Sequence, residues 1–311
     1  MTDNYTGETN KEGQPHGRGT KVFKNAGRYQ GQFWNGLIHG RGTSTYSSGD
    51  KFEGEFKLGK RHGRGVYTHV DGGCYKGQYE VGELSGLGTY NYSDGSQHIG
   101  QYKYGKAHGQ GSQKTADGSH YTGQFEDGLY NGQGTFIYAN GDLKEGQWEC
   151  GWLHGHGVLK GANADVSLEG QFVRGRLHGH GVTVDDNGDR YEGQFEHGDR
   201  HGQGTLICAN GDRLEGQWER GQLHGHGVFQ SAGNDLFPKG YRYEGQFENG
   251  CFHGHGVHEF ANGDRYEGQW WQQMEHGHGV RDYANGDRYE GKWFAGQQVD
   301  EDMWLYNEEP N

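Results

Sequence analysis

Proline is nearly missing from this chain, with three in 311 residues, and aliphatic bulk is scarce, since only 30% of the residues are hydrophobic. No apolar run approaches the roughly 20 residues that span a bilayer, so a transmembrane helix is excluded. The start, Met1-Thr2-Asp3-Asn4-Tyr5-Thr6, lacks the basic and apolar regions of an export signal, and a soluble, cytoplasmic protein is expected. The four cysteines, Cys74, Cys150, Cys208 and Cys251, lie far apart with no Cys-x-x-Cys spacing. That argues against a structural zinc site or a redox pair and for reduced thiols.

What the chain does have is 63 Gly, 20 Tyr, 14 Phe and 8 Trp. Low hydrophobicity by itself suggests disorder, but disordered chains are poor in aromatics and richer in proline. Something regular must bury these rings. The net charge of -13 repels nucleic acid, and no nucleic-acid partner is expected. The charge is uneven: residues 1–120 carry 15 Lys+Arg against 11 Asp+Glu, which leaves 14 against 31 for residues 121–311.

The regularity is a repeat. A glycine following Glu or its equivalent recurs at Gly31, Gly54, Gly77, Gly100, Gly123, Gly146, Gly170, Gly193, Gly216, Gly245, Gly268 and Gly291. The period is 23 or 24 residues, lengthened once by an insertion near 231–238, and Tyr5-Thr6-Gly7 resembles a degenerate first copy. In the unit starting at Asp189, Tyr191, Gly193 and Phe195 alternate with Glu192, Gln194 and Glu196, the two-residue period of a strand with one apolar face. A second strand follows His201-Gly202-Gln203-Gly204, and Asp-Gly or Asn-Gly pairs such as Asp71-Gly72 and Asn210-Gly211 separate the units. An antiparallel meander follows. Glycines on its inner face let rings from nearby strands lie flat on bare backbone. At about 4.8 Å per strand each repeat advances roughly 10 Å, giving an elongated single-sheet rod on the order of 120 Å long.

Tyr-x-Gly-x-Phe/Trp, then Gly, then His-Gly-x-Gly, resembles the repeat of the MORN (membrane occupation and recognition nexus) family over nearly the whole chain, in about 12 or 13 copies. Ser85 and Asn131 replace the motif histidine, His98 and Leu168 replace the leading tyrosine, and Leu143-Lys144-Glu145-Gly146 is altered in character. Those units are expected to pack less tightly. The expected organisation is a continuous array over 1–296 and an acidic tail or cap over 297–311.

Motifs that could carry chemistry have plainer readings. Gly100 to Ala107 nearly matches a phosphate-binding loop, but Ala107 replaces the metal-holding hydroxyl and Tyr102 and Tyr104 crowd the backbone, a by-product of the repeat. Five His-Gly-His segments (His154 and His156, His178 and His180, His224 and His226, His253 and His255, His276 and His278) put pairs on a strand, and a pair leaves a tetrahedral zinc site half made. The first histidine is read as a structural position at the turn, the second as variable. A histidine-dense acidic rod could also respond to pH between 7.5 and 5.5. Glu192, Glu215, Glu244, Glu267 and Glu290 repeat on the outer face, and a role repeated five times is rarely catalytic. No catalytic residue, metal ligand or cofactor is assigned, and the protein is not expected to be an enzyme.

Two groups stand out as candidate sites. Arg41, Lys51, Lys57, Lys60, Arg61 and Arg64 fall in adjacent repeats and form a candidate patch for an acidic ligand or anionic phospholipid within residues 1–120. Trp270, Trp271, Trp293 and Trp304 form a candidate self-association surface, because open sheet ends invite pairing. The resemblance implies a scaffold or adaptor for protein partners at a membrane–cytoskeleton junction or cilium. Its alternatives are a phospholipid tether and a regulatory subunit of a separate lipid kinase or SET-type methyltransferase.

Overall fold

The computed structural model describes residues 4–24, 27–163, 165–233 and 240–299. Every regular element among them is a β-strand, and strands are numbered β1 to β26 in chain order. Two compact units divide at Leu153 and His154. The first holds β1 (Asn4–Thr9) to β13 (Leu143–Glu149), and the second runs from within β14 (Trp152–Lys160) to β26 (Gln297–Val299).

In each unit every strand pairs antiparallel with the next, so the sheet is an open meander. The repeated strand pair is well seen in β3 (Gly27–Trp34) and β4 (Leu37–Thr45). Gly31 faces Gly42, and Phe33 faces Ile38, so His39, Gly40 and Arg41 bulge opposite Gln32 alone. Gln32 fills the bulge: its Oε1 accepts the Arg41 N–H at 2.8 Å. Gly40 sits at φ 68°, and a Cβ there would run into the Gln32 amide. Hence the first glycine of His-Gly-x-Gly has no substitute.

One face of the sheet is a layer of rings. Tyr29 is fully buried and lies over the Gly31–Gly42 pair, donating its hydroxyl to the Gln32 carbonyl at 3.0 Å. It meets Phe33 and Phe56 edge-on, each at 5.1 Å between centroids. The same herringbone continues through Phe52–Tyr79 and Tyr75–Tyr102, and in the second unit through Tyr191–Trp218 and Tyr266–Trp293. Each such pair adds about 1 kcal/mol beyond its burial. The core is therefore one layer of rings against glycine backbone.

The altered repeats still place a buried side chain over the glycine pair. His98 takes the tyrosine place, 2% exposed, edge-on to Tyr102 and Phe125. Where Leu168 and Leu214 stand instead, Leu177 and Leu223 from the following strand drop onto the glycine pair and are buried.

Turn chemistry differs from expectation at one place. The Asp-Gly and Asn-Gly segments between repeats close longer loops in which glycine alone has positive φ, as in the His69 to Gly73 turn. Tight two-residue turns with both residues at positive φ lie inside the repeats, at Asn35-Gly36, Leu58-Gly59, Val81-Gly82 and Tyr104-Gly105. Each tip is braced on the preceding repeat: Gly59 N–H donates to the Ile38 carbonyl at 2.8 Å, and Gly82 N–H to that of Arg61 at 2.9 Å.

Candidate interaction surface

Because the rings occupy one face, residues of opposite parity project from the other. In β5 (Lys51–Lys57) these are Lys51, Glu53, Glu55 and Lys57, while Phe52 and Phe56 are buried. The open face has a glycine floor, side chains in columns across the strands, and no second layer. A groove of about 800 Å³ runs over it, lined by Gly19, Gly31, Gly42 and Gly54 beneath Arg18, Arg41 and Arg64.

One column runs through the residue after the bulge glycine. In the first unit it reads Arg18, Arg41, Arg64, Leu87, Gln110, Gln133, and each faces a Gln or Glu of the next strand, as Arg18 faces Gln32 and Arg41 faces Glu55. In the second unit the same column holds His156, His180, Gln203, His226, His255 and His278. Arginine thus occupies the column in the first three repeats only, and the second unit holds histidine and glutamine there.

The candidate basic patch falls on both faces. Arg41, Lys51, Lys57, Lys60 and Arg64 project from the open face, with Arg41 3.8 Å from Glu55 and Lys51 3.0 Å from Glu53. Arg61 is placed on the ring side instead. Its guanidinium lies over Tyr67, Tyr79 and Phe52 and donates to the Gly82 carbonyl at 2.9 Å, which fixes the next tip turn. Arg18, which the sequence did not single out for the patch, completes the column; its spacing of 23 residues from Arg41 was the available signal.

The tryptophan group is divided too. Trp270 and Trp293 are buried in the ring layer, and their indole N–H groups donate to the Gly256 and Gly279 carbonyls at 3.2 and 3.3 Å. Trp271 is 46% exposed and leans on His253, 4.7 Å between centroids. Trp304 lies outside the described residues.

The two histidines of each His-Gly-His segment have separate places. The first leans on the next tip at His178, His253 and His276, the last 5.4 Å from Phe294, and the second stands exposed in the column in all five. Among the described residues no three His, Cys, Asp or Glu side chains are grouped to hold a metal ion, and no helix is long and apolar enough to cross a membrane.

Perturbed ionisations belong to structural groups. Burial pushes the Tyr29 and Tyr191 hydroxyls up to about 12 and the His98 and His258 rings down to about 4. At the end of the second unit Arg281 bridges Asp264 at 3.0 Å and Glu275 at 3.2 Å. Burial raises the Glu275 carboxyl, whereas the Ala284 N–H, followed by Arg281 and Asn262, holds that of Asp264 down.

A single-layered β-hairpin repeat whose rings rest on its own glycines defines a class of modular platform. The chain belongs to the MORN-repeat family: the family model matches twelve segments, 11–28, 29–51, 52–74, 75–97, 98–120, 121–143, 145–166, 169–190, 191–213, 215–235, 243–265 and 266–288. This family is generally one of non-catalytic repeat scaffolds. No curated protein matches the sequence. Among solved structures, the TCP domain of Drosophila melanogaster SAS-4 (dCPAP) in complex with a proline-rich motif of Ana2 (dSTIL) is similar at 14% identity and a TM-score of 0.25, over 66% of this chain and 88% of that one. The TCP10 domain of Danio rerio CPAP, in complex with a STIL peptide, aligns at 9% identity and 0.24, over 93% and 100%. Virginiamycin B lyase of Staphylococcus aureus aligns at 12% and 0.14, over 94% and 88%. At these scores none of their partners or activities extends to this chain.

Proposed function

We propose that the protein is a non-enzymatic scaffold or adaptor, working in the cytoplasm at a cytoskeletal, ciliary or membrane-associated assembly and docking protein partners along its open face. The observation that carries this is the self-sufficiency of the ring layer. Tyr29, Tyr75 and Tyr121 are buried by their own strands and glycines, so the opposite face is not needed for the core. That face repeats similar columns of exposed polar groups, a layout suited to holding an extended or modular partner at many points.

Bulk added to the open face tests this without touching the rings. Thr89 and Thr135 pair directly with Ile99 and Glu145 of the next strand, beside the glycine pairs. Thr89→Arg with Thr135→Arg should cut cross-linked recovery of the protein's cellular partners at least tenfold, with circular dichroism unchanged. Full recovery by the folded variant would defeat the proposal.

A second function, a phospholipid tether in residues 1–120, draws support from two tips. Leu58 is 59% exposed between Lys57 and Lys60, and Tyr104 is 77% exposed between Lys103 and Lys106, an apolar tip flanked by cations. Flotation with anionic and neutral vesicles at two salt concentrations separates the two functions.

A further inference from the structure

The arginine column has a geometry of its own. Arg18, Arg41 and Arg64 stand on alternate strands, β2 (Pro15–Phe23), β4 and β6 (Lys60–Thr68), all exposed and all over the same groove. Two strand spacings separate neighbours, so the guanidinium groups repeat at about 10 Å and Arg18 lies roughly 19 Å from Arg64. While Glu8 of β1 fills the bulge at Gly17, the open face across β2 to β6 carries Arg18, Arg28, Arg41, Lys51, Lys57, Lys60 and Arg64 against Glu53 and Glu55. Both carboxylates already have cations, Lys51 at 3.0 Å and Arg41 at 3.8 Å. Among the described residues no carboxylate is within ion-pair distance of Arg18 or Arg64. The groove is therefore a site for an elongated anion with charges about 20 Å apart.

The chain contains a segment of that description. Residues 300–311, Asp-Glu-Asp-Met-Trp-Leu-Tyr-Asn-Glu-Glu-Pro-Asn, carry five carboxylates and no base. Laid out as an extended strand, Asp302, Trp304, Tyr306 and Glu308 point to one side. At about 3.3 Å per residue Asp302 and Glu308 are then roughly 20 Å apart, the separation of Arg18 and Arg64. Trp304 and Tyr306 fall between them, where Arg41 can lie on a ring, as Arg61 already does on Tyr67.

We infer that the groove over β1 to β6 binds residues 300–311 of a second copy of this chain, Asp302 and Glu308 pairing with the outer arginines and the two rings stacking about Arg41. The inference rests on the open face being a docking face and names one occupant of it. Groove and segment are different surfaces, so the contact is head-to-tail, and each copy retains a free groove and a free segment after one contact. Association then continues into open chains of copies whose length rises with concentration. The two ion pairs make it salt-sensitive, because the charges are exposed to screening.

Sedimentation velocity of the full chain tests it. At low salt the wild type is expected to form a concentration-dependent series of oligomers, weakened at least tenfold by 0.3 M salt. Arg18→Gln with Arg64→Gln, and separately Asp302→Asn with Glu308→Gln, should each be monomeric. Mixing those two variants leaves one good groove and one good segment, and should give a complex that stops at two chains. A synthetic peptide of residues 300–311 in excess should dissolve the wild-type series, and a peptide of the same composition that breaks the alternation should not.

Three results would overturn the inference: a wild type monomeric under all these conditions, variants that associate as the wild type does, or a mixture that stays monomeric. Anionic vesicles that bind the chain through Arg18 and Arg64 while the peptide has no effect would assign the groove to lipid instead. None of these outcomes bears on the Thr89 and Thr135 experiment, so an outside protein partner on the open face stands or falls separately.

Discussion

Tyr75 and Gly88 show what a single repeat position requires. The ring lies on Gly77 and Gly88, and its hydroxyl reaches the Gln78 carbonyl at 3.2 Å. Tyrosine is thus chosen for its ring and its tip together. His98 fills the same position with a smaller ring; its Nδ1 is 2.6 Å from the Tyr102 hydroxyl, and its Nε2 is buried without a partner. Burial lowers its pKa from 6.5 to about 4. The unfolded chain therefore binds the proton more readily, so the stability His98 contributes is complete above about pH 6.5 and is lost as pH falls toward 4. The whole displacement is worth up to about 3 kcal/mol, one unit being about 1.4 kcal/mol. His98→Tyr should restore the hydroxyl contact, to the Gln101 carbonyl, and remove the acid penalty. Its gain in urea midpoint should be larger at pH 5 than at pH 8. An equal shift at both pH values would show that the ring's titration plays no part.

At the scale of the hairpin, alternation and glycine period made the strands legible, because a two-residue apolar period and a 23-residue repeat are both written directly in the residues. The open face was legible only in part. Arg61 carries the same charge as Arg64, but the two stand three residues apart and the bulge at Gly63 adds two residues, so alternation keeps them on opposite faces; grouping them by charge alone passed over that parity. The substitution of Leu177 for a missing ring at Leu168 was hidden because Leu177 reaches the Gly170–Gly181 pair only after the strands pair. The tips were missed because their chemistry is poor by the usual rules. Val81 is a β-branched residue at φ 52°, where Asn35 and Asn249 serve other tips. Its side chain is 60% exposed, so little burial offsets the backbone cost, about 1–2 kcal/mol. Val81→Asn should raise the thermal midpoint by the equivalent of about 1 kcal/mol. A lower midpoint would mean that the exposed valine packs against something that the other tips lack.

Across the whole molecule the strands touch mainly their sequence neighbours, and the ring layer passes from each repeat only to the next. Stability should then be a sum of repeat and nearest-neighbour terms, as in other one-dimensional arrays. A lesion in one repeat should weaken that repeat and its neighbours and leave distant ones intact. Gly77→Ala supplies such a lesion. The added methyl would meet the Tyr75 ring and stand 2.7 Å from the Gly88 Cα, so backbone as well as ring must move. Overpacking of this kind costs about 1–3 kcal/mol. Hydrogen–deuterium exchange should show faster exchange in peptides from β5 to β10 (Lys106–Lys114), while peptides from β17 (Arg190–Glu196) to β24 (Met274–Asp282) keep wild-type protection. If protection falls equally in both places, the array unfolds as one cooperative body, and the ring-to-ring contacts transmit strain much farther than one repeat.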